Sequence, residues 1–401
     1  MPRSARPVGA LIIVLAATLT INIAVEPAFA ADYPTWADVE NAKKSEAAKR
    51  AEIAKIEALI GGLETEGANY AKAALEANEA YNQALDDLAT AQSQADTLQK
   101  RADAAAATAE TSGAQAGALI AQVARDGGSD FTVELLLADE RNADDLLYKI
   151  TALDMLSSRS AEIYERAVID LNTASSLSEQ ATAARDARES LAADAEQALA
   201  AAQQAAADAE VRAKNQEAAA AQLYAQLASL KGTTAATEQA YLDGVAWEKA
   251  QEAVTTPPAP PPPVNPTPPP PNTDAVSSAI AFAQAQVGDS YLLNGSGPDA
   301  WDCSGLTKAS YASAGVYIGT HSATNQYATM AAAGRLVPYN ELVAGDLLFY
   351  SNGGATAGTK YHVALYIGSG KMIEAPYPGV AVRVAAVRYG DLVPYAGRPT
   401  P

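Results

Sequence analysis

The sequence contains one cysteine, two histidines and few aromatic residues, and each shortage excludes a class of protein. With Cys303 as its only cysteine, the chain cannot form an intrachain disulfide or a cysteine-based zinc site. Aromatic residues make up 6% of the chain although apolar residues reach 49%, so alanine supplies much of the apolar count. Because alanine favours helices, this composition predicts long helices rather than one large globular core.

Positive charge is also scarce. The chain has 28 Lys and Arg residues against 47 Asp and Glu residues, a formal net charge of -19. This excludes a broad phosphate-binding surface, because non-specific nucleic-acid binding depends on cationic side chains. Residues 32–252 hold 38 acidic and 19 basic side chains, whereas residues 274–401 hold eight and seven. The difference in charge predicts more than one domain.

Residues 1–30 have the pattern of an export signal. Arg3 and Arg6 precede an apolar run, and Ala28-Phe29-Ala30 offers small residues at the positions that a signal peptidase inspects. We expect cleavage after Ala30, which would make the protein secreted or cell-wall-associated, outside the cytoplasm. The alternative is an uncleaved anchor helix, since the apolar run is about 18 residues long.

Residues 31–254 are predicted to form an all-α coiled-coil domain. Small or apolar residues recur at alternating spacings of three and four from Ile53 to Leu98. An apolar cluster between Phe131 and Leu156 is expected to form a helical knob at the tip of a hairpin, and the second long helix to run from about Ser158 to Leu230. This arm is either a rigid spacer or a regulatory element whose tip binds a partner.

Residues 255–273 form a Pro-rich linker. They contain eleven of the 22 prolines and no charged residue, a composition typical of a semi-rigid extended tether. Residues 274–401, which follow, have the mixed composition of a compact domain and are numerous enough to bury a core of their own.

Cys303 is the candidate nucleophile. The segment Asp302-Cys303-Ser304-Gly305 is predicted to open a helix, and the backbone N–H groups of a first helical turn stabilise a thiolate. A lone cysteine is more often a buried apolar residue. Outside the cell, however, an unpaired exposed thiol is open to oxidation, which favours a functional role.

A predicted β-hairpin carries the candidate base. Alternating residues from Tyr361 to Ile367 are followed by Gly368-Ser369-Gly370 and a second strand. With a three-residue loop, residue 364 pairs with residue 374, and Glu374 lies diagonally beside His362 on one face of the sheet. A four-residue loop would place the two side chains on opposite faces. With Cys303, the pair fits the Cys-His-carboxylate pattern of nucleophilic catalysis.

Three blocks of sequence, GPDAWDCSGLT, GDLLFY and HVALYIGSGKMIEAP, resemble the NlpC/P60 cell-wall peptidases in order and spacing. The resemblance covers residues 274 to about 398. It implies a papain-like α+β domain with an antiparallel sheet and a nucleophile helix. It also implies a cysteine endopeptidase that hydrolyses peptidoglycan stem peptides, at the bond between D-glutamate, through its γ-carboxyl, and a diamino acid.

The same resemblance implies roles for individual residues. Cys303 would be the nucleophile, His362 the base and Glu374 the third polar residue. Tyr291 lies where the family has a tyrosine that helps to stabilise the oxyanion, and Asp302 and Ser304 lie where members touch the substrate peptide.

The chain departs from the family pattern beside the expected cleft. Leu293 and Asn294 stand where many members have an aromatic residue and a glycine, and Thr320 stands where many have an arginine. These departures leave the bond that is cut open. His321, in the same segment, is the one rival base, and we expect it in a loop or at the rim of the cleft.

The order of signal, coiled coil, Pro-rich linker and catalytic domain resembles the actinobacterial, division-associated members. It implies a membrane division complex that acts on the coiled coil. No HExxH motif or Gly-rich phosphate loop is present, so no metal or other cofactor is expected. Two alternatives stay open: a papain-like amidase or acyltransferase with the same triad, and a non-catalytic coiled-coil scaffold associated with the wall.

Overall fold

The computed structural model describes residues 34–125, 143–253 and 272–400. The expected export signal, most of the Pro-rich linker and residues 126–142 of the hairpin tip lie outside the described residues. Within them, a long helical arm is followed by an α+β domain, which confirms the predicted fold class. No described helix combines the length and the apolarity needed to cross a membrane.

Two long antiparallel helices make up the arm. Helix α1 (Trp36–Ala42) precedes α2 (Glu46–Arg125), which has 80 residues, and α3 (Ala143–Lys231), which has 89. At 1.5 Å per residue, each long helix extends over about 120 Å or more. The arm ends with α4 (Ala235–Ala253).

Alanine forms part of the contact between the two long helices, as the spacing of small residues predicts. One cluster on the two helices consists of Ala74, Ala77, Ala202, Ala205 and Ala209, all 5% exposed or less. The small side chains let the two backbones approach closely in this stretch. Nearer α1, larger buried side chains, among them Ile56, Ile60 and Leu227, fill the contact between the same two helices.

The return helix begins earlier than the sequence analysis predicts. Helix α3 starts at Ala143, about fifteen residues before Ser158, so the second half of the apolar cluster belongs to the long helix. The prediction failed because the dense apolar residues 146–156 suggest a separate packing unit, although their spacing is compatible with a continuous helix.

A six-stranded antiparallel sheet forms the centre of the C-terminal domain. Its strands follow the order β3-β8-β4-β5-β6-β7. Their bounds are β3 Leu336–Pro338, β4 Leu347–Tyr350, β5 His362–Gly368, β6 Lys371–Glu374, β7 Arg383–Ala386 and β8 Tyr395–Gly397. Strands β4 and β5 are central and fully buried over most of their length, so their pairing fixes the position of His362 opposite Tyr350.

Three helices and a two-stranded ladder complete this domain. Helix α5 (Thr273–Ala285) begins at the last residue assigned to the linker, because Asn272 caps it. The short strands β1 (Ser290–Tyr291) and β2 (Ala300–Trp301) lead into α6 (Cys303–Ser313), and α7 (Ala323–Ala332) follows. Helix α6 packs on β5, which brings the ends of these two elements together.

The hairpin of β5 and β6 has the predicted register and a different turn. Leu365 pairs with Ile373, the register that places residue 364 opposite Glu374. The strands are joined by Ser369-Gly370, and a register shift between Tyr366 and Gly368 absorbs the extra residue. Because a β-bulge adds one residue to one strand only, it restores the alignment that the two-residue turn would otherwise shift.

Candidate active site

Cys303 is the first residue of α6. Asp302 caps this helix, with its side chain accepting a hydrogen bond from the backbone N–H of Gly305 at 2.7 Å. Gly305 has no room for a side chain, since an added Cβ would lie 2.0 Å from the carbonyl oxygen of Gly295. The cap and this close approach fix the first turn of α6 and therefore the position of the sulfur.

The sulfur of Cys303 faces the start of β5 and is shielded from solvent. The backbone N–H of Val363, the residue after His362, points towards it, and the residue is 2% exposed. Burial, with the carboxylates of Asp302 and Glu79 nearby, raises the pKa of the thiol well above its usual 9.0, although the N–H groups of Val363 and Ser304 act in the opposite direction. In this arrangement the helix N-terminus does not activate the thiol as the sequence suggests, because burial outweighs it.

His362 and Glu374 form a buried pair on the hairpin. The Nε2 atom of His362 lies 2.9 Å from Oε2 of Glu374, and both residues are fully buried. The other ring nitrogen, Nδ1, is buried and forms no hydrogen bond with any residue that the structure describes. A carboxylate on one nitrogen fixes the tautomer that leaves the other nitrogen as a proton acceptor.

Two arginines hold the second oxygen of Glu374. Arg383 donates from Nε and Nη2 at 3.1 and 3.0 Å to Oε1, and Arg388 donates from Nη1 at 2.8 Å. Sequence reasoning missed both residues. The register of β6 and β7 carried a signal for Arg383, which pairs directly with Glu374, whereas Arg388 lies beyond the strand.

The surroundings of Glu374 and His362 determine the protonation state of each group through its pKa. Burial alone would raise the pKa of Glu374, but Arg388 and His362 together hold it well below its usual 4.5. Burial lowers the pKa of His362 below its usual 6.5, and the two arginines lower it further, although Glu374 opposes them. The pair is therefore a carboxylate and a neutral imidazole near pH 7, which is the resting state that a general base needs.

Asp302 and Ser304 lie on either side of the nucleophile. Ser304 donates its hydroxyl to Oδ1 of Asp302 at 3.0 Å, and Nε2 of His321 lies 2.8 Å from the same oxygen. Burial would raise the pKa of Asp302, but the hydrogen bond and charge of His321 help to lower it below 3.8. His321 thus lies beside Asp302, with 18% of its side chain exposed, rather than on the hairpin with Glu374.

Tyr291 directs a polar atom into the same space. Its hydroxyl oxygen is buried and has no hydrogen-bond partner among the described residues. Burial raises the pKa of this phenol well above 10, and nearby Cys303 and Asp302 raise it further. A neutral hydroxyl beside the sulfur can donate a hydrogen bond to an oxyanion formed there.

Helix α2 of the arm covers this group of residues. Asn78 and Asn82 donate their side-chain amides to Oδ2 of Asp302 at 3.1 and 3.3 Å. Sequence reasoning missed both asparagines, because polar residues on a helix normally face solvent. Among the described residues, no group of three or more His, Cys, Asp or Glu side chains is arranged to hold a metal ion.

Comparison with known proteins identifies relatives of the C-terminal domain. The NlpC/P60 family model matches residues 288–392, which include Cys303, His362 and Glu374. The peptidoglycan endopeptidase RipB of Mycobacterium tuberculosis is 33% identical over 190 residues, which cover 43% of this chain and 75% of RipB. The chain belongs to the NlpC/P60 family. This assignment confirms the resemblance that the three sequence blocks suggest.

Other NlpC/P60 proteins match shorter parts of the chain. RipA of M. tuberculosis, also named a peptidoglycan endopeptidase, is 38% identical over 105 residues, which cover 26% of this chain and 20% of RipA. The chain therefore spans about a fifth of the length of this relative. The match to the solved structure of the RipB hydrolase from M. tuberculosis covers 32% of this chain and 66% of the RipB chain, with 34% identity and a TM-score of 0.27.

Proposed function

We propose that this NlpC/P60 protein is a cysteine endopeptidase that hydrolyses peptidoglycan stem peptides. One observation carries the proposal: the buried His362 is held through Nε2 by Glu374, and its unpartnered Nδ1 is left at the end of β5 that faces Cys303. This is the arrangement that a thiol nucleophile and its general base require. The names of RipA and RipB, both peptidoglycan endopeptidases, support the substrate class.

In the proposed mechanism, His362 accepts the proton of the Cys303 thiol at Nδ1. The thiolate attacks the amide carbonyl carbon and forms a tetrahedral intermediate, whose oxyanion accepts a hydrogen bond from the hydroxyl of Tyr291. The imidazolium, stabilised by Glu374, protonates the leaving amine as the C–N bond breaks. Water then attacks the thioester, His362 takes its proton, and the carboxylate product leaves with the thiol restored.

The proposed scissile bond and substrate contacts follow the family pattern. The bond between D-glutamate, through its γ-carboxyl, and a diamino acid is the proposed cleavage point, in cell-wall remodelling or daughter-cell separation. Asp302 and Ser304 would contact the substrate peptide. Action outside the cytoplasm follows from a wall substrate and agrees with the export pattern of residues 1–30. A membrane division complex acting on the arm stays a prediction.

Digestion of purified peptidoglycan tests the function. The full-length protein should release stem-peptide fragments with a new amino group on the diamino acid, detected by mass spectrometry, and Cys303→Ala should release none. His321→Ala is the matched control, because it removes an imidazole that the hairpin does not hold. Cleavage between the sugar and the peptide would indicate an amidase, and peptide exchange onto an added amine would indicate an acyltransferase. If Cys303→Ala digests the wall as fast as the wild type does, the cysteine mechanism is wrong.

A further inference from the structure

The side chain of Tyr350 packs beside the imidazole of His362. The two residues lie directly opposite each other in the pairing of β4 and β5, and their ring centroids are 5.5 Å apart at an interplanar angle of 45°. Tyr350 is 1% exposed, and its hydroxyl donates to the sulfur of Met372 at 3.2 Å. Because a closely packed ring leaves its neighbour little room to move, Tyr350 limits the rotation of the imidazole.

Arg388 contacts both groups that surround this imidazole. Its Nη1 atom donates to Oε1 of Glu374 at 2.8 Å, and its guanidinium carbon lies 5.0 Å from the centre of the Tyr350 ring. The backbone N–H of Arg388 also points towards the hydroxyl of Tyr350. One arginine thus links the carboxylate that bonds His362 to the aromatic ring that packs beside it.

The backbone around Arg388 is held in place. Arg388 follows β7, and the residue before it, Val387, is 2% exposed and donates its N–H to the carbonyl oxygen of Gly370 at 2.9 Å. This buried neighbour fixes the start of the arginine side chain, although 46% of that side chain is exposed. A planar guanidinium on a fixed backbone loses little conformational freedom when it bonds a carboxylate, which suits a positioning role.

Arg383 offers an internal comparison. It donates two hydrogen bonds to the same oxygen of Glu374, at 3.1 and 3.0 Å, from the position that pairs with Glu374 across β6 and β7. Among the described residues, however, the arginine that lies over the Tyr350 ring is Arg388. The two arginines therefore share one carboxylate oxygen but differ in their relation to the aromatic ring.

The charges that face His362 favour a neutral imidazole. Glu374 on β6 raises its pKa, whereas burial and the two arginines lower it, Arg388 having the larger effect of the two. The phenol of Tyr350 on β4 and the thiol of Cys303 on α6 are uncharged, because burial raises the pKa of each above its usual value. Loss of Arg388 should therefore raise the pKa of His362.

We propose that Arg388 is a positioning residue of the active site, which orients His362 through Glu374 and through Tyr350. Arg388 contacts these two residues rather than the reacting sulfur, so its loss should lower kcat and leave KM nearly unchanged. The effect on turnover rests on the proposed hydrolase function, whereas the effect on the imidazole itself does not.

The test replaces the guanidinium by an apolar side chain in the full-length protein. Arg388→Met removes the charge and the hydrogen bond but keeps an unbranched chain that can pack on the Tyr350 ring. Arg388→Lys restores the charge without the planar group and is the conservative rescue. Arg383→Met is the matched control, because it makes the same change at the other arginine on the same oxygen.

The first readout is the cleavage of a soluble stem peptide that carries the bond between D-glutamate and the diamino acid. We expect Arg388→Met to lower kcat by about tenfold or more with KM within about twofold, and Arg383→Met to lower kcat by less than about threefold. Arg388→Lys should recover part of the loss. The acid limb of kcat/KM should move up by about half a pH unit in Arg388→Met, because more of the imidazole is protonated.

The second readout does not require activity. In protein labelled with ¹⁵N-histidine, the ring signals that persist in His321→Ala belong to His362, and their shifts report its pKa and its tautomer. We expect the pKa of His362 to rise by about half a unit in Arg388→Met and by less in Arg383→Met. If Arg388→Met fails to fold, Arg388→Gln, which also lacks the charge, takes its place.

The two readouts separate the positioning role from the proposed function. A lower kcat together with a higher pKa of His362 in Arg388→Met, with smaller effects in Arg383→Met, supports the proposal. Equal effects in the two methionine variants, a raised KM with unchanged kcat, or an unchanged pKa of His362 overturns it. If the wild type cleaves no stem peptide, the hydrolase function is wrong, and the titration of His362 alone decides the role of Arg388.

Discussion

Replacing Glu374 by glutamine should damage catalysis more than replacing it by alanine. From the sequence alone the opposite order is expected, because glutamine keeps a hydrogen-bond acceptor for His362. The structure changes the expectation, since Arg383 and Arg388 direct three donors at Oε1. The single oxygen of an amide cannot serve both the arginines and the imidazole.

The arginines should win this competition. Three bonds from guanidinium groups favour the orientation in which the amide oxygen faces them, by about 2 kcal/mol even after allowance for solvent, since the two side chains are 42% and 46% exposed. The NH₂ group then donates to Nε2 of His362 and moves the imidazole proton to Nδ1. That tautomer cannot accept the proton of Cys303. A preference of about 2 kcal/mol for this tautomer lowers activity by about 30-fold, and the total loss should lie between this value and about 10⁴-fold.

Replacing Glu374 by alanine should reduce activity less than replacing it by glutamine does. It removes the carboxylate without offering a competing donor, so water can accept the Nε2 proton and leave Nδ1 basic. The exposed arginines can turn into solvent. Digestion rates of the two variants should be compared in the full-length protein. Glu341→Gln, the same change at an exposed position, is the control.

The tautomer can be observed directly. The chain has two histidines, so ¹⁵N-histidine labelling gives ring signals from two imidazoles, and His321→Ala identifies those of His362. We expect a proton on Nε2 in the wild type and on Nδ1 in Glu374→Gln. If Glu374→Gln keeps the Nε2 proton and outperforms Glu374→Ala, the role given to the two arginines is wrong.

Three further predictions test other parts of the structure. His362→Ala should abolish digestion, whereas His321→Ala should keep most of it; the reverse would make His321 the base. Because burial lowers the pKa of His362, the unfolded chain takes up a proton below pH 6.5 that the folded chain does not, so the free energy of unfolding should fall from pH 6.5 towards 5. In guanidinium titrations His362→Gln should lose less stability over this range than the wild type. An equal loss would contradict the attribution of this pH dependence to the lowered pKa of His362. Arg398→Ala leaves the buried Asp346 without its bidentate partner at 2.9 Å and should lower the free energy of unfolding of the domain by about 3–5 kcal/mol, while Arg335→Ala, which removes one carbonyl contact, should cost less.

The sequence alone determined the local elements of the candidate site. The cap residue Asp302 marks the start of the nucleophile helix, and α6 begins at Cys303 as predicted. The alternation of β5 and β6 places His362 and Glu374 on one face, and this held although the turn has two residues rather than three. Such features depend on residues close in the chain, where helix capping and strand alternation follow from local backbone geometry.

Tertiary structure alone decided how these residues are held and covered. Arg388 reaches Glu374 from beyond β7, and Asn78 reaches Asp302 across 224 residues of chain. No periodicity distinguishes an asparagine that faces water from one that faces another domain, because both lie off the apolar stripe of the same helix. Tertiary packing also sets the state of the Cys303 thiol: the helix N-terminus favours a thiolate, but burial raises the pKa of the thiol and keeps it protonated.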